Sequence, residues 1–192
     1  HPRDNIALRW MAEELDLGYD LFDSVMLSRE VQAKNMAKRL MELAGGSEDH
    51  DVTINSKPII IVGKAYKPLV PYDAGSPSML VGHYIEEAGY ELHYLDEVMG
   101  EIPPQDTLNN PAVYLIAHNP EITYGEQLDF VKGWYDEHRV TGADEALTVA
   151  TANGTELQFA EGSTVVDPWR KLPPIKGVKV VHYGNTRKEA LR

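Results

Sequence analysis

The sequence predicts an α/β fold, a three-layer αβα arrangement around a mainly parallel sheet, preceded by a helical segment that includes one long helix. Ile59, Ile60, Ile61 and Val62 form an unbroken β-branched run, and a strand apolar on both faces is what a parallel sheet covered on both sides requires. A helix signal and a second strand follow, so residues 57–96 read as one βαβ unit. Further strand-like apolar runs recur at Ala112–Ala117, Thr164–Asp167 and Val178–Tyr183.

At the amino-terminal end, Asp4 is placed to cap a helix that begins at Asn5, with Ile6, Trp10, Met11 and Leu15 on one face and Leu17-Gly18 ending it. From Leu21 to Ala44 a longer helix is expected. Phe22, Met26, Arg29, Ala33, Met36, Leu40 and Leu43 recur there by fours and threes, which is a packing seam rather than a ligand face. Gly45-Gly46 stops this helix, and Ser47 to Ser56 is a polar, acidic connector. The expected units are therefore a helical segment over 1–46 and an α/β domain over 47–192.

Within the βαβ unit Gly63 ends the first strand. Ser76 caps the next helix and Pro77 suits its first position, where the missing N–H costs nothing. Met79, Leu80, Tyr84, Ile85 and Ala88 then recur at helical spacing, and Gly89 stops the turn. Leu92 to Leu95 is the second strand, with Asp96 at its carboxyl end, the edge at which open α/β sheets bind ligands. A nucleotide is the first ligand to consider there. The fingerprint G-x-G-x-x-G is nevertheless absent, because Gly63 is followed by Lys-Ala-Tyr-Lys-Pro. Its place is taken by a long loop, Gly63 to Gly75, that carries Lys64, Tyr66, Lys67 and Tyr72. A loop of that length is expected to be functional or mobile.

Beyond a proline- and asparagine-rich stretch from Glu101 to Pro111, the strand at Ala112–Ala117 leads to His118, either a residue of the ligand edge or a histidine hydrogen-bonded to a loop. Glu126 to His138 reads as a helix through Leu128, Val131, Trp134 and Tyr135. Leu147–Thr151 and Glu156–Ala160 flank Asn153-Gly154, a strong hairpin signal, expected as an insertion on the surface or edge of the domain. Between the last two strands stands Asp167-Pro-Trp-Arg170. Arg170 is a candidate fork for a carboxylate or phosphate, the alternatives being a pair with Asp167 or a place over Trp169.

Composition excludes several classes of function. The 192 residues carry 30 acidic against 18 basic side chains, a net charge of −12, which argues against a nucleic-acid groove. There are no cysteines, so disulfides, cysteine zinc sites and a cysteine nucleophile within the chain are excluded. The seven histidines show no metal-ligand spacing, and no G-x-S-x-G elbow or Walker A loop occurs. No metal is expected. No apolar run reaches the length of a membrane span, and a cytoplasmic location is the default. Because the chain opens on His1 and directly on a helix signal, it is expected to be a piece of a longer protein.

Gly63-Lys-Ala-Tyr-Lys-Pro, then Ser76-Pro77, then Gly89-Tyr-Glu-Leu-His-Tyr-Leu-Asp96 resembles the carboxyl-terminal domain of the UDP-glucose/GDP-mannose dehydrogenases, whose pattern is Gly-x-Ala-Phe-Lys, a polar loop ending in Arg-Glu-Ser-Pro, a helix, and a strand ending in Tyr-Asp. Where that family has an arginine and acidic residues before Ser-Pro, this chain has Pro71, Tyr72, Ala74 and Gly75. His1-Pro2-Arg3-Asp4 resembles the last four residues of the family's Cys-x-Pro-Lys-Asp, which sets the nucleophilic cysteine immediately before His1.

The resemblance implies a Rossmann-like domain belonging to an NAD-dependent enzyme that oxidises a nucleotide sugar's primary alcohol twice, to a carboxylate, through a covalent cysteine adduct. It implies that Asp4 serves the water chemistry, that Arg3 stands in for the family's lysine beside the substrate, and that Tyr66, Lys67 and Arg170 hold the nucleotide sugar. NAD would bind an upstream domain, the 21–44 helix would contribute to a homodimer, and this piece by itself would not turn over. Two other functions are compatible with the residues: a nucleotide-sugar-binding module without catalysis, and a structural oligomerisation module.

Overall fold

The computed structural model of the chain describes residues 2–45, 56–124 and 147–184. The expected helix over 126–138, His1, and the connector as far as Asn55 lie outside the described residues.

The first helix, α1 (Pro2–Glu14), begins earlier than expected. Asp4 therefore does not cap it. It lies exposed in the first turn, where a negative charge meets the positive end of the helix dipole. The long helix α2 (Leu21–Ala44) has the expected bounds. Asp20 caps it by accepting the amides of Phe22 at 2.9 Å and Asp23 at 3.0 Å, and Gly45 ends it with a left-handed φ of 103°. Arg9 of α1 reaches Asp23 at 3.1 Å, which pins the two helices at their shared turn.

The remaining elements are β1 (Ile59–Val62), α3 (Pro77–Glu87), β2 (Leu92–Leu95), a short α4 (Gln105–Asn109), β3 (Val113–Ile116), β4 (Glu121–Tyr124), β5 (Leu147–Ala150), β6 (Glu156–Leu157), β7 (Thr164–Asp167) and β8 (Lys179–His182). Five of these strands make one sheet in the order β2-β1-β3-β7-β8, and each neighbouring pair runs parallel. The chain leaves β1 toward one side for β2 and toward the other for β3. The strand order thus reverses between β1 and β3, and the crevice outside their carboxyl ends is where such sheets hold ligands.

Side-chain alternation splits the core into two layers. Ile59, Ile61, Val113, Leu115 and Val166 point to one face, where α3 and the second half of α2 cover them through Val81, Ile85, Ala33, Ala37 and Leu40. From Ala33 onward the expected seam of α2 is therefore filled by the sheet and α3, with Ala37 and Ala44 added to it, whereas Phe22, Met26 and Arg29 of the same seam lie outside that core. On α3 the buried positions are Ser78, Val81, Gly82 and Ile85, whereas Met79, Leu80 and Tyr84 are half-buried. The shift has a cause in size. Tyr94 of β2 lies across the helix at Gly82, where any Cβ would run into its hydroxyl.

Ile60, Val62, Tyr114, Ile116 and Val165 point to the other face. Among the described residues this face is covered by the antiparallel sheet β4-β5-β6, whose Val149 and Leu157 are buried against it, and by Leu108, Leu172 and Ile175. The hairpin expected as a surface or edge insertion is thus part of the core. Its apolar alternation matches the face it covers, and Phe159 meets Tyr114 edge-on at 4.9 Å.

Candidate functional site

Three elements converge at the carboxyl end of β1. Gly63 leaves the strand with a φ of 102°, and a Cβ on it would stand 2.6 Å from Cγ of His118, which follows β3. His118 Nε2 is 2.9 Å from the Ala65 carbonyl oxygen, so the histidine is bonded to the loop. Asp96, 2% exposed at the end of β2, accepts the amides of Lys64 at 2.9 Å and Ala65 at 2.8 Å. Its other oxygen accepts Met99 N–H at 3.3 Å. The carboxylate at the ligand edge is therefore turned inward. It clamps the start of the loop instead of offering itself to a ribose.

Lys64 is taken up locally as well. Its ammonium pairs with Glu101 and lies 5.1 Å from the centre of the Tyr94 ring. Burial, together with Glu86, Glu101 and Asp73, pushes the Tyr94 hydroxyl up to about 12. Ser76 accepts Ser78 N–H at 3.2 Å, as expected of a cap, and its hydroxyl donates to the Ala65 carbonyl at 3.3 Å. The first residues of the loop are thus fixed by all three neighbouring strand ends and by α3.

Tyr66 and Lys67 stand past this clamp. Tyr66 N–H donates to Tyr72 O at 2.7 Å, which closes the neck of the loop, and the exposed Lys67 ammonium lies 5.5 Å from the centre of the Tyr66 ring. Arg29 of α2 donates to Gly75 O at 2.7 Å and ties the far end of the loop to the long helix.

At the carboxyl end of β7 Asp167 is fully buried, and its two oxygens accept the amides of Trp169, Arg170, Lys171 and Leu172 at 2.7–3.0 Å. Trp169 Nε1 donates to Ile116 O at 3.0 Å. Arg170 takes a left-handed φ of 59° with an exposed side chain. Of the alternatives for this residue, pairing with Asp167 occurs only through its backbone amide. The side chain of Arg3 lies outside the described residues. Among the described residues, no hydrogen bond, ion pair or ring contact joins Asp4, Lys67 and Arg170, whereas Tyr66 and Lys67 are in contact with each other.

The crevice between these loops is lined by Gly63, Asp96, His118, Pro120, Thr151 and Asn153 and has a volume of ≈ 10 Å³. That is room for about one water molecule. The hairpin tip at Thr151–Asn153 fills what an open sheet leaves free. Asn153 reads in the sequence only as a turn residue, yet its Oδ1 accepts Leu69 N–H at 2.9 Å. No local signal marks it, because the contact joins segments far apart in the chain.

Among the described residues no group of histidine and carboxylate side chains is arranged to hold a metal ion, and no helix is long and apolar enough to cross a membrane. NAD does not fit the described residues either: the turn after β1 lacks the glycines that admit a pyrophosphate, and the crevice beside it is too small. No protein-family model, no curated protein and no solved structure matches the chain.

Proposed function

We propose that this chain is the nucleotide-sugar-binding part, Rossmann-like in type, of an NAD-dependent nucleotide-sugar dehydrogenase. In this proposal the nucleophilic cysteine stands immediately before His1, NAD belongs to a domain upstream of it, and the chain alone binds without turning over. The single observation that carries the proposal is the loop Gly63–Gly75. It stands at the reversal of strand order, its base is clamped by Asp96 and His118, and it presents Tyr66 and Lys67 beyond the clamp. With the crevice filled, the ligand lies over this outer part of the loop, where the Lys67 ammonium meets a phosphate oxygen and the Tyr66 ring flanks the sugar or base. A separate observation favours a role in assembly. Most of the exposed large apolar side chains, among them Ile6, Trp10, Leu15, Tyr19 and Leu21, lie on α1, the turn after it and the first half of α2.

Calorimetric titration with UDP-glucose, UDP-glucuronate and GDP-mannose tests the binding. The expected outcome is saturable heat with at least one of them, weakened about tenfold or more by Lys67→Ala, which is about 1.4 kcal/mol per decade. Absence of heat with all three, or an unchanged Lys67→Ala variant, overturns the proposal and leaves assembly as the function of the chain.

A further inference from the structure

The hairpin between β5 and β6 meets the candidate ligand loop at a hydrogen bond from Leu69 N–H to Asn153 Oδ1 at 2.9 Å. The tip is built without help from the loop. Thr151 N–H donates to Thr155 O at 2.7 Å, Gly154 N–H to Thr151 O at 2.9 Å, and Thr151 Oγ1 accepts the amides of Asn153 and Thr155 at 3.3 and 3.1 Å. Behind it Val149 and Leu157 are buried against the central sheet. A preformed and anchored tip thus holds one acceptor out to the loop.

The loop's crest is less secure. Between the closure of its neck at Tyr66–Tyr72 and the Tyr72 N–H to Val70 O bond at 2.7 Å, Leu69 carries a φ of 62° and is 70% exposed. A leucine does not favour the left-handed region, so its surroundings must impose that conformation. Burial does not do so here. The Asn153 acceptor is the contact that holds the Leu69 amide in this orientation.

We infer that Asn153 is a positioning residue of the site: the hairpin tip fixes the loop crest and, through it, the placement of Tyr66 and Lys67. The inference rests on the proposal that these two residues bind a nucleotide sugar. Its chemistry is pre-organisation. If only a fraction of loop conformers accepts the ligand, the dissociation constant rises by the inverse of that fraction. The packed tip keeps that fraction high.

The test titrates the wild-type chain, Asn153→Ala and Asn153→Asp with the same three nucleotide sugars. The aspartate variant keeps an acceptor oxygen at the same reach, and about 0.3 M salt screens its added charge. The expected result is an affinity lower by about three- to tenfold for Asn153→Ala, as for a competent fraction reduced to about a third to a tenth. Asn153→Asp should return to within about twofold of the wild type, with the same thermal midpoint in all three proteins. Wild-type affinity in Asn153→Ala, or an Asn153→Asp variant no tighter than Asn153→Ala, overturns the inference while the nucleotide-sugar proposal stands. A wild-type chain that binds none of the three overturns that proposal and this inference with it.

Discussion

Gly63 carries two constraints at once. Its φ of 102° suits glycine alone, and the His118 ring occupies the space a Cβ would take. Gly63→Ala is expected to destabilise the chain by about 1–2 kcal/mol for the backbone and about 1–3 kcal/mol for the overlap. Urea unfolding checks this, with a control that separates the two causes. His118→Ala in the same chain should relieve the overlap and leave the backbone penalty, so Gly63→Ala should cost less in the His118→Ala background than in the wild type. Equal losses in both backgrounds would show that the ring imposes no constraint. Asp96 and Asp167 follow one pattern at this scale: each carboxylate at a strand end is buried and accepts backbone amides of a strand-end loop, Asp96 those of Lys64 and Ala65 after β1 and Asp167 those of Lys171 and Leu172 after its own strand. That is why neither is available to a ligand, although a strand-end acid is the natural candidate in a sequence.

At the scale of elements, α2 divides into two halves of different character. Its second half buries Ala33, Ala37, Leu40 and Ala44, whereas its first half leaves Leu21, Val25, Leu27 and Val31 exposed. With Trp10 of α1 at 60% exposure, these side chains are the apolar area that the proposed role in assembly would bury. Sedimentation velocity across a concentration series is expected to show a dimer, and Trp10→Glu with Leu21→Glu is expected to return it to a monomer with unchanged helix content. A wild-type monomer throughout the series would remove the homodimer from the account. The periodicity of α2 contains its buried seam, but periodicity does not say which half of a seam the same chain fills. The hairpin shows the complementary limit. Asn153-Gly154 reveals the turn, while the burial of Val149 and Leu157 depends on an uncovered sheet face that no local pattern describes.

For the molecule as a whole, the helical segment and the sheet share one core, because Leu40 of α2 packs in the same layer as Ile61, Ile85 and Leu115. Leu40→Ala is expected to cost about 2–5 kcal/mol. The loss should appear in one cooperative transition seen alike by far-ultraviolet dichroism and by tyrosine and tryptophan fluorescence. Two separated transitions would mean that α2 melts away from a sheet that stands without it. The α/β class, the strands around Ile59–Val62 and Ala112–Ala117, the bounds of α2, the Ser76 cap and the loop that carries Tyr66 and Lys67 are all legible in the order of the residues. These follow from apolar runs, periodicity and turn chemistry, which act over a few residues and are written in adjacent positions. The inward turn of Asp96 and Asp167, the hairpin's cover of a sheet face and of the crevice, and the meeting of Asn153 with Leu69 arise in the assembled fold. Each of these depends on residues brought together by the packing of distant segments, and it is packing, not local preference, that settles which polar groups are satisfied within the fold and which stay free for a ligand.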